Sequence, residues 1–231
     1  MIGSILKAAG KKVVVVGNIG QPIFDVYKDL NRESIAVIEL SSFQLEDLKH
    51  SPNIAVILPI GEDHLSPLSP QNPNFHPSIN DYIAAKAQIA VHQTATDTLI
   101  YAADSEFSAS IADVAKSQKI SVSQLVEVAD YFVDRSGAVS HAGEKLAELA
   151  NLGLRGQHIF LNATLAIATA ITLGCRQIDL EQGIINWRPL PHRLETVADK
   201  EGIIFVDDSY ATNPVAASAA IQSFDQPIIW I

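Results

Sequence analysis

Cysteine is nearly absent from the 231-residue sequence: Cys175 stands alone. No intrachain disulfide can form, which fits a reducing cytosol. Basic residues are scarce as well. Lysine and arginine total 16 against 26 acidic residues, a formal charge of −10. A phosphate backbone calls for clustered cations, so nucleic acid is excluded as the expected partner. Lys7, Lys11 and Lys12 interrupt any apolar N-terminal run, so no secretory signal shows. A membrane span is missing too: the most apolar stretch, residues 159–173, holds Asn162 and three threonines. It is also shorter than the roughly 20 residues a span requires. It reads as a buried helix, and the expected location is cytoplasmic.

What the sequence does have is an apolar fraction of 48 %, enough for a sizeable core. Its pattern predicts the end of a helix at 4–9, stopped by Gly10. Strands are expected at 13–16, 35–40, 54–58 and 99–102, and helices at 21–28, 78–93, 157–173 and 180–187. The runs at 35–40 and 54–58 are continuously apolar, the pattern of strands buried on both faces. Strands alternating with helices predict an α/β fold with a mostly parallel sheet. Residues 119–150 are less regular and suggest short antiparallel strands around Ile120, 131–133 and 138–140. A proline-punctuated joint, RPLPHRLE at 188–195, then opens a second unit. Strands at 194–198 and 203–206 are expected there, followed by a helix at 214–224 with Pro214 in its first turn after Asn213. A last strand at 228–231 stops at the end of the sequence, which suggests truncation.

Five stretches carry side chains able to do chemistry. In VIELSSFQLE, a strand delivers Glu39 to its C-terminal end, where ligands of open α/β sheets sit. The carboxylate could bind a metal, and Ser41 or Ser42 could simply cap the next helix. In ILPIGEDHLS a second strand delivers Asp63 and His64 to the same edge, so Glu39 and His64 could share a divalent ion. In DYIAAKAQI, helical spacing sets Lys86 on the apolar stripe of Tyr82, Ile83 and Ile89. A lysine there either snorkels to water or sits desolvated with a lowered pKa. GQHIFLNA puts His158 and Asn162 at i and i+4 in the first turns of a helix, either as caps or facing an anion. In FVDDSYATNP two aspartates, Asp207 and Asp208, end a strand and open either a site or a plain βα turn.

Together GNIGQP, ELSSFQLE, EDHL, YIAAK, GQH with its later Asn, LPHRLE and DDSYATN resemble the Mur ligases, in that family's order from residue 17 to residue 213. SSFQLE and LPHR resemble the branch that joins D-glutamate to UDP-N-acetylmuramoyl-L-alanine. The resemblance implies a central ATPase domain over 1–189, incomplete at its N-terminus. The start of a Rossmann-like C-terminal domain would follow over 190–231. It implies ATP-dependent amide-bond formation through an acyl phosphate, in peptidoglycan precursor synthesis. It also implies Mg²⁺ held by Glu39, His64 and a carbamylated Lys86, and a monomer at full length. Asn18, Ser41 and His64 would meet the UDP-sugar substrate; Asn162 and Arg193 would meet ATP, and Asp208 its ribose. The GNIG turn, with no Lys-Ser or Lys-Thr after it, resembles the family's substrate loop. The phosphate loop is therefore expected ahead of Met1. Three positions depart from the family: Ile159 stands for an Asn, Tyr210 for a Lys and Ser66 for an Asp. The loop at 67–79 is also longer than usual and proline-rich. DDSYATNP also resembles the MurF version of that motif, which leaves open a different amide ligase of the superfamily, such as MurF or folylpolyglutamate synthase. Ile159 and Tyr210 also leave open a binding domain of this fold that has lost catalysis.

Overall fold

The computed structural model describes every residue except Ile19, 68–73, Thr212, Asn213 and Asp225, and the side chain of Val215. The expected Asn213 ahead of Pro214, and residues 68–73 of the long loop, lie outside the described residues.

The chain opens with α1 (Ile2–Ala8), followed by Gly10 at φ 72°, the left-handed stop its glycine permits. Strand β1 (Val13–Gly17) pairs in parallel with β2 (Ile35–Glu39). The helix expected at 21–28 is not there. Pro22 precedes two separate 3₁₀ turns, Ile23–Asp25 and Tyr27–Asp29, neither with a side-chain cap. Nor is β2 buried on both faces: Ile38 is 44 % exposed.

After α2 (Ser42–Leu45) comes a six-stranded sheet in simple sequence order. Strands β3 (Ile54–Ile57), β4 (Thr98–Ala102), β5 (Gln118–Ser123) and β6 (Tyr131–Val133) run parallel. Only β7 (Ala138–His141) and β8 (Glu144–Glu148) add antiparallel pairs. The strands read at Ile120 and 131–133 are thus members of the parallel set.

Alternation along β4 shows why these runs are apolar throughout. Ile100 and Ala102 join the core under α1 and α5 (Gln157–Thr172), whereas Leu99 joins the one under α3 (Ile79–Val91) and α4 (Glu106–Val114). Two side-chain layers on one strand give a three-layer sandwich. Helix α5 is buried from Phe160 to Ala170 apart from Asn162. Its three threonines remain satisfied because Thr164, Thr169 and Thr172 each donate to the carbonyl four residues back, at 2.7–2.9 Å. Helix α6 (Gln177–Asn186) lies against α1. Beyond the joint, β9 (Glu195–Lys200) and β10 (Ile203–Asp207) form an antiparallel hairpin, followed by α7 (Pro214–Ile221). Residues 228–231 do not form the expected strand and are exposed.

Candidate functional site

The parallel pair β1–β2 ends in a tight turn. Gly17 has φ 136°, and a Cβ there would lie 2.0 Å from the Glu39 carbonyl oxygen. Only glycine lets β1 come this close. The Asn18 N–H donates to the Glu39 carbonyl at 2.9 Å, so Asn18 and Glu39 meet at the end of this pair. Two residues on, Ser41 opens α2. Its Oγ accepts the Gln44 N–H, and Gln44 Oε1 accepts the Ser41 N–H at 2.9 Å, a reciprocal cap. The capping role foreseen for Ser41 or Ser42 thus falls to Ser41.

His64 follows β3 in a left-handed conformation, φ 57°. Its N–H donates to Asp63 Oδ1 at 2.8 Å. The His64 ring meets Phe43 edge-on at 5.4 Å and Tyr82 at 6.0 Å. Ser78 caps α3, and the helix carries Lys86 one turn beyond Tyr82. Lys86 Nζ stands 4.9 Å from the centre of the Tyr82 ring. Burial lowers the pKa of this amine, and the carboxylates of Glu39 and Asp63 act against that. Lys86 is half-buried, between the snorkelling and the desolvated alternatives. The same burial, with Asp63, pushes the Tyr82 phenol up to about 12. Glu39 and Asp63 thus both act on Lys86, but β2 and β3 belong to separate sheets, so Glu39 and His64 do not share the one sheet edge expected.

A second group lies across β3. A cleft of about 570 Å³ is lined by Leu58 and Pro59, by His158 and Asn162 on α5, and by Arg193 and α7. Helix α5 starts at Gly156 with no side-chain cap, so neither His158 nor Asn162 is spent on capping. Burial lowers the pKa of His158, opposed by Asp208 nearby. Asp208 Oδ1 accepts the Leu194 N–H at 2.9 Å, and the Arg193 guanidinium lies 5.4 Å over Tyr210. Asn162 and Arg193 thus line one cleft, and Asp208 acts on His158 of the same helix. Ile159 packs against the core, Ser66 is exposed, and Tyr210 covers Arg193.

Sequence reasoning missed two histidines. His76 is fully buried beneath the first group; its only signal was a histidine at the end of a proline-rich loop. His192 Nδ1 lies 2.7 Å from Asp207 Oδ2, and its N–H donates to Glu195 Oε2 at 2.8 Å. Bonding to Asp207 raises the His192 pKa, and the same bond first of all holds Asp207 down at about 2. Among the described residues, His192, Glu195 and Asp207 are the group whose ligand atoms lie within 4.8 Å of one another. Glu39 and His64 are not part of it.

Comparison with known proteins places these features in a family. Residues 1–170 match the Mur ligase middle domain. The UDP-N-acetylmuramoylalanine–D-glutamate ligase of Clostridioides difficile (strain 630) is 35 % identical over 238 residues, covering 100 % of this chain and 50 % of that protein. The MurF structure from Acinetobacter baumannii has a TM-score of 0.71 at 23 % identity, over 96 % of this chain and 50 % of that one. A mutant of L. casei FPGS reaches 0.67 at 15 % identity, over 98 % and 69 %. At such identities the likeness of the solved structures concerns the fold. The chain spans about half the length of the curated relatives it matches. Among the described residues no helix is long and apolar enough to cross a membrane.

Proposed function

The chain belongs to the Mur ligase middle-domain family, and from that premise we propose that the protein joins D-glutamate to UDP-N-acetylmuramoyl-L-alanine using ATP. The observation that carries the reading is the half-buried Lys86 amine, over the Tyr82 ring that His64 also meets and in the field of Glu39 and Asp63. A lysine that merely snorkels keeps its head in water; here partial burial disfavours the ammonium, although Glu39 and Asp63 favour it.

The donor chemistry fits a hard divalent cation such as Mg²⁺, with Glu39 and His64 as its holders. An ammonium cannot ligate. A neutral Lys86 amine can add CO₂, forming an N–C bond and losing a proton, and so become an anionic oxygen donor. Mg²⁺ bound there would supply positive charge where phosphoryl charge develops. The protein's own groups do the rest. Asn18 and Ser41 meet the UDP-sugar substrate, and Asn162 and Arg193 in the cleft meet ATP. Asp208 takes its ribose. We assign residues 1–189 to the central domain and 190–231 to the start of the C-terminal one.

The test is direct. The full-length protein, given UDP-N-acetylmuramoyl-L-alanine, D-glutamate, ATP and Mg²⁺, should release ADP and yield the D-glutamyl adduct by mass spectrometry. The DDSYATNP stretch, which also resembles the MurF version of that motif, favours one alternative, a MurF-type ligase. ADP release that requires D-alanyl-D-alanine together with UDP-N-acetylmuramoylalanyl-D-glutamyl-2,6-diaminopimelate, the pair named for that enzyme of Acinetobacter baumannii, would establish it.

A further inference from the structure

Four rings form a closed circuit beside Lys86. Phe43 stacks on His76 at 4.6 Å with planes 3° apart, His76 meets Tyr82 at 5.2 Å, Tyr82 meets His64 at 6.0 Å, and His64 meets Phe43 at 5.4 Å. The members come from α2, from the turn after β3, from the end of the long loop and from α3. Three of those segments carry side chains assigned above to the reaction: Ser41, His64 and Lys86.

We propose that His76 is the positioning residue that ties these segments together and so fixes His64 and Tyr82 beside the Lys86 amine. The inference rests on the ligase reading for its kinetic arm only. His76 is 0 % exposed, and its Nε2 lies 2.9 Å from Oγ of Ser42, itself 2 % exposed. Its backbone N–H donates to the His64 carbonyl at 2.8 Å. Glu46 Oε1 stands 3.2 Å from Nδ1 without completing a hydrogen bond. A residue that only filled this space would be a phenylalanine, which stacks equally well and avoids burying two ring nitrogens. The imidazole does what phenylalanine cannot: it pins α2 through Ser42, and so ties α2 to the residue whose backbone N–H, independent of side chain, holds the His64 turn. His64 needs holding, because its φ of 57° lies in a region that non-glycine residues seldom enter unassisted.

The experiment compares His76→Phe, Ser42→Ala and the double variant in the full-length protein. Each change removes the same buried bond. Misplacing reacting groups by about an ångström costs up to roughly 100-fold in rate, so each single variant should lower kcat about 10- to 100-fold while KM for each substrate stays within about twofold. The double variant should fall no further than the singles. The second readout is independent of turnover: in ¹H–¹³C NMR the ring-current-shifted resonances of His64 should move toward ordinary values in both singles. Losses that multiply in the double variant, or unmoved His64 resonances in folded protein, overturn the proposal. Should His76→Phe fail to fold, Ser42→Ala decides by both readouts. A wild-type protein without ligase activity sinks the ligase reading, and the NMR result still judges the role of His76.

Discussion

Lys86 carries its charge into a place that disfavours it. Burial lowers its pKa, and only the fields of Glu39 and Asp63 keep the ammonium from still greater penalty. If the amine is carbamylated in the working enzyme, Lys86→Ala removes an anionic donor that nothing else supplies. Losing one preorganised electrostatic group costs about 10²–10³ in rate. The variant should fall by that much and recover part of it with added formate or acetate; wild-type turnover would end the idea. The pair His192–Asp207 makes a different prediction, about pH. Asp207 is held down at about 2 from 3.8, so its contribution to stability is present above 3.8 and lost as pH falls from there toward 2. His192 is raised above 6.5, so its contribution is complete below 6.5 and lost as pH climbs through the raised value. Between 3.8 and 6.5 both hold. An NMR titration of Asp207→Asn should bring the His192 pKa back toward 6.5; an unchanged midpoint would show that some other group sets it.

At the scale of elements, the contact between α1 and α6 rests on one missing side chain. A Cβ on Gly183 would lie 2.3 Å from the Ile5 Cα, and Ser4 Oγ donates to the Gly183 carbonyl at 2.7 Å. Helix propensity alone would make Gly183→Ala stabilising by about 1 kcal/mol. The clash is with backbone, which a rotamer change cannot relieve, and overpacking costs about 1–3 kcal/mol. The clash wins, and denaturant melts should show Gly183→Ala less stable by about 1–2 kcal/mol; a higher midpoint would mean α1 moves freely. Where burial writes a long apolar run, elements were legible in the sequence: β3, β4, α3 and α5 lie within a few residues of their expected bounds. Helix α4 escaped notice because its buried face, Ser108, Ile111 and Ala112, is mostly small or polar. The stretch 21–28 misled in the opposite sense, since Pro22 and the lack of caps leave only 3₁₀ turns. Of the site, the strand-end residues Glu39 and His64 and the stripe lysine Lys86 were readable from local pattern. His76 and the pairing of His192 with Asp207 were not, because each depends on a contact across 15 or more residues.

For the whole molecule the open matter is the triphosphate. A phosphate loop points several backbone N–H groups and one lysine at the β and γ phosphates. In residues 1–231 no glycine is followed by Lys-Ser or Lys-Thr. The glycine turn after β1 is already committed. The Gly17 N–H donates to the Gln21 carbonyl at 3.1 Å and the Asn18 N–H to that of Glu39, so neither is free to meet an anion. In the cleft, burial disfavours the charged form of His158, so its imidazole can bond a nucleotide without supplying charge, and Arg193 already lies over Tyr210. The chain as a whole carries −10. Each lost hydrogen bond to a charged group is worth about 1.5–3 kcal/mol, so losing three moves a micromolar nucleotide site to millimolar or weaker. Calorimetry on residues 1–231 alone should therefore find no ATP binding tighter than about millimolar, and no hydrolysis. A longer protein with Gly-Lys-Ser or Gly-Lys-Thr ahead of residue 1 should bind at micromolar concentration and lose that affinity when the lysine is replaced. Micromolar binding by residues 1–231 would mean that α5 and the cleft hold the triphosphate unaided, and the assignment of GNIG to substrate would have to be abandoned with it.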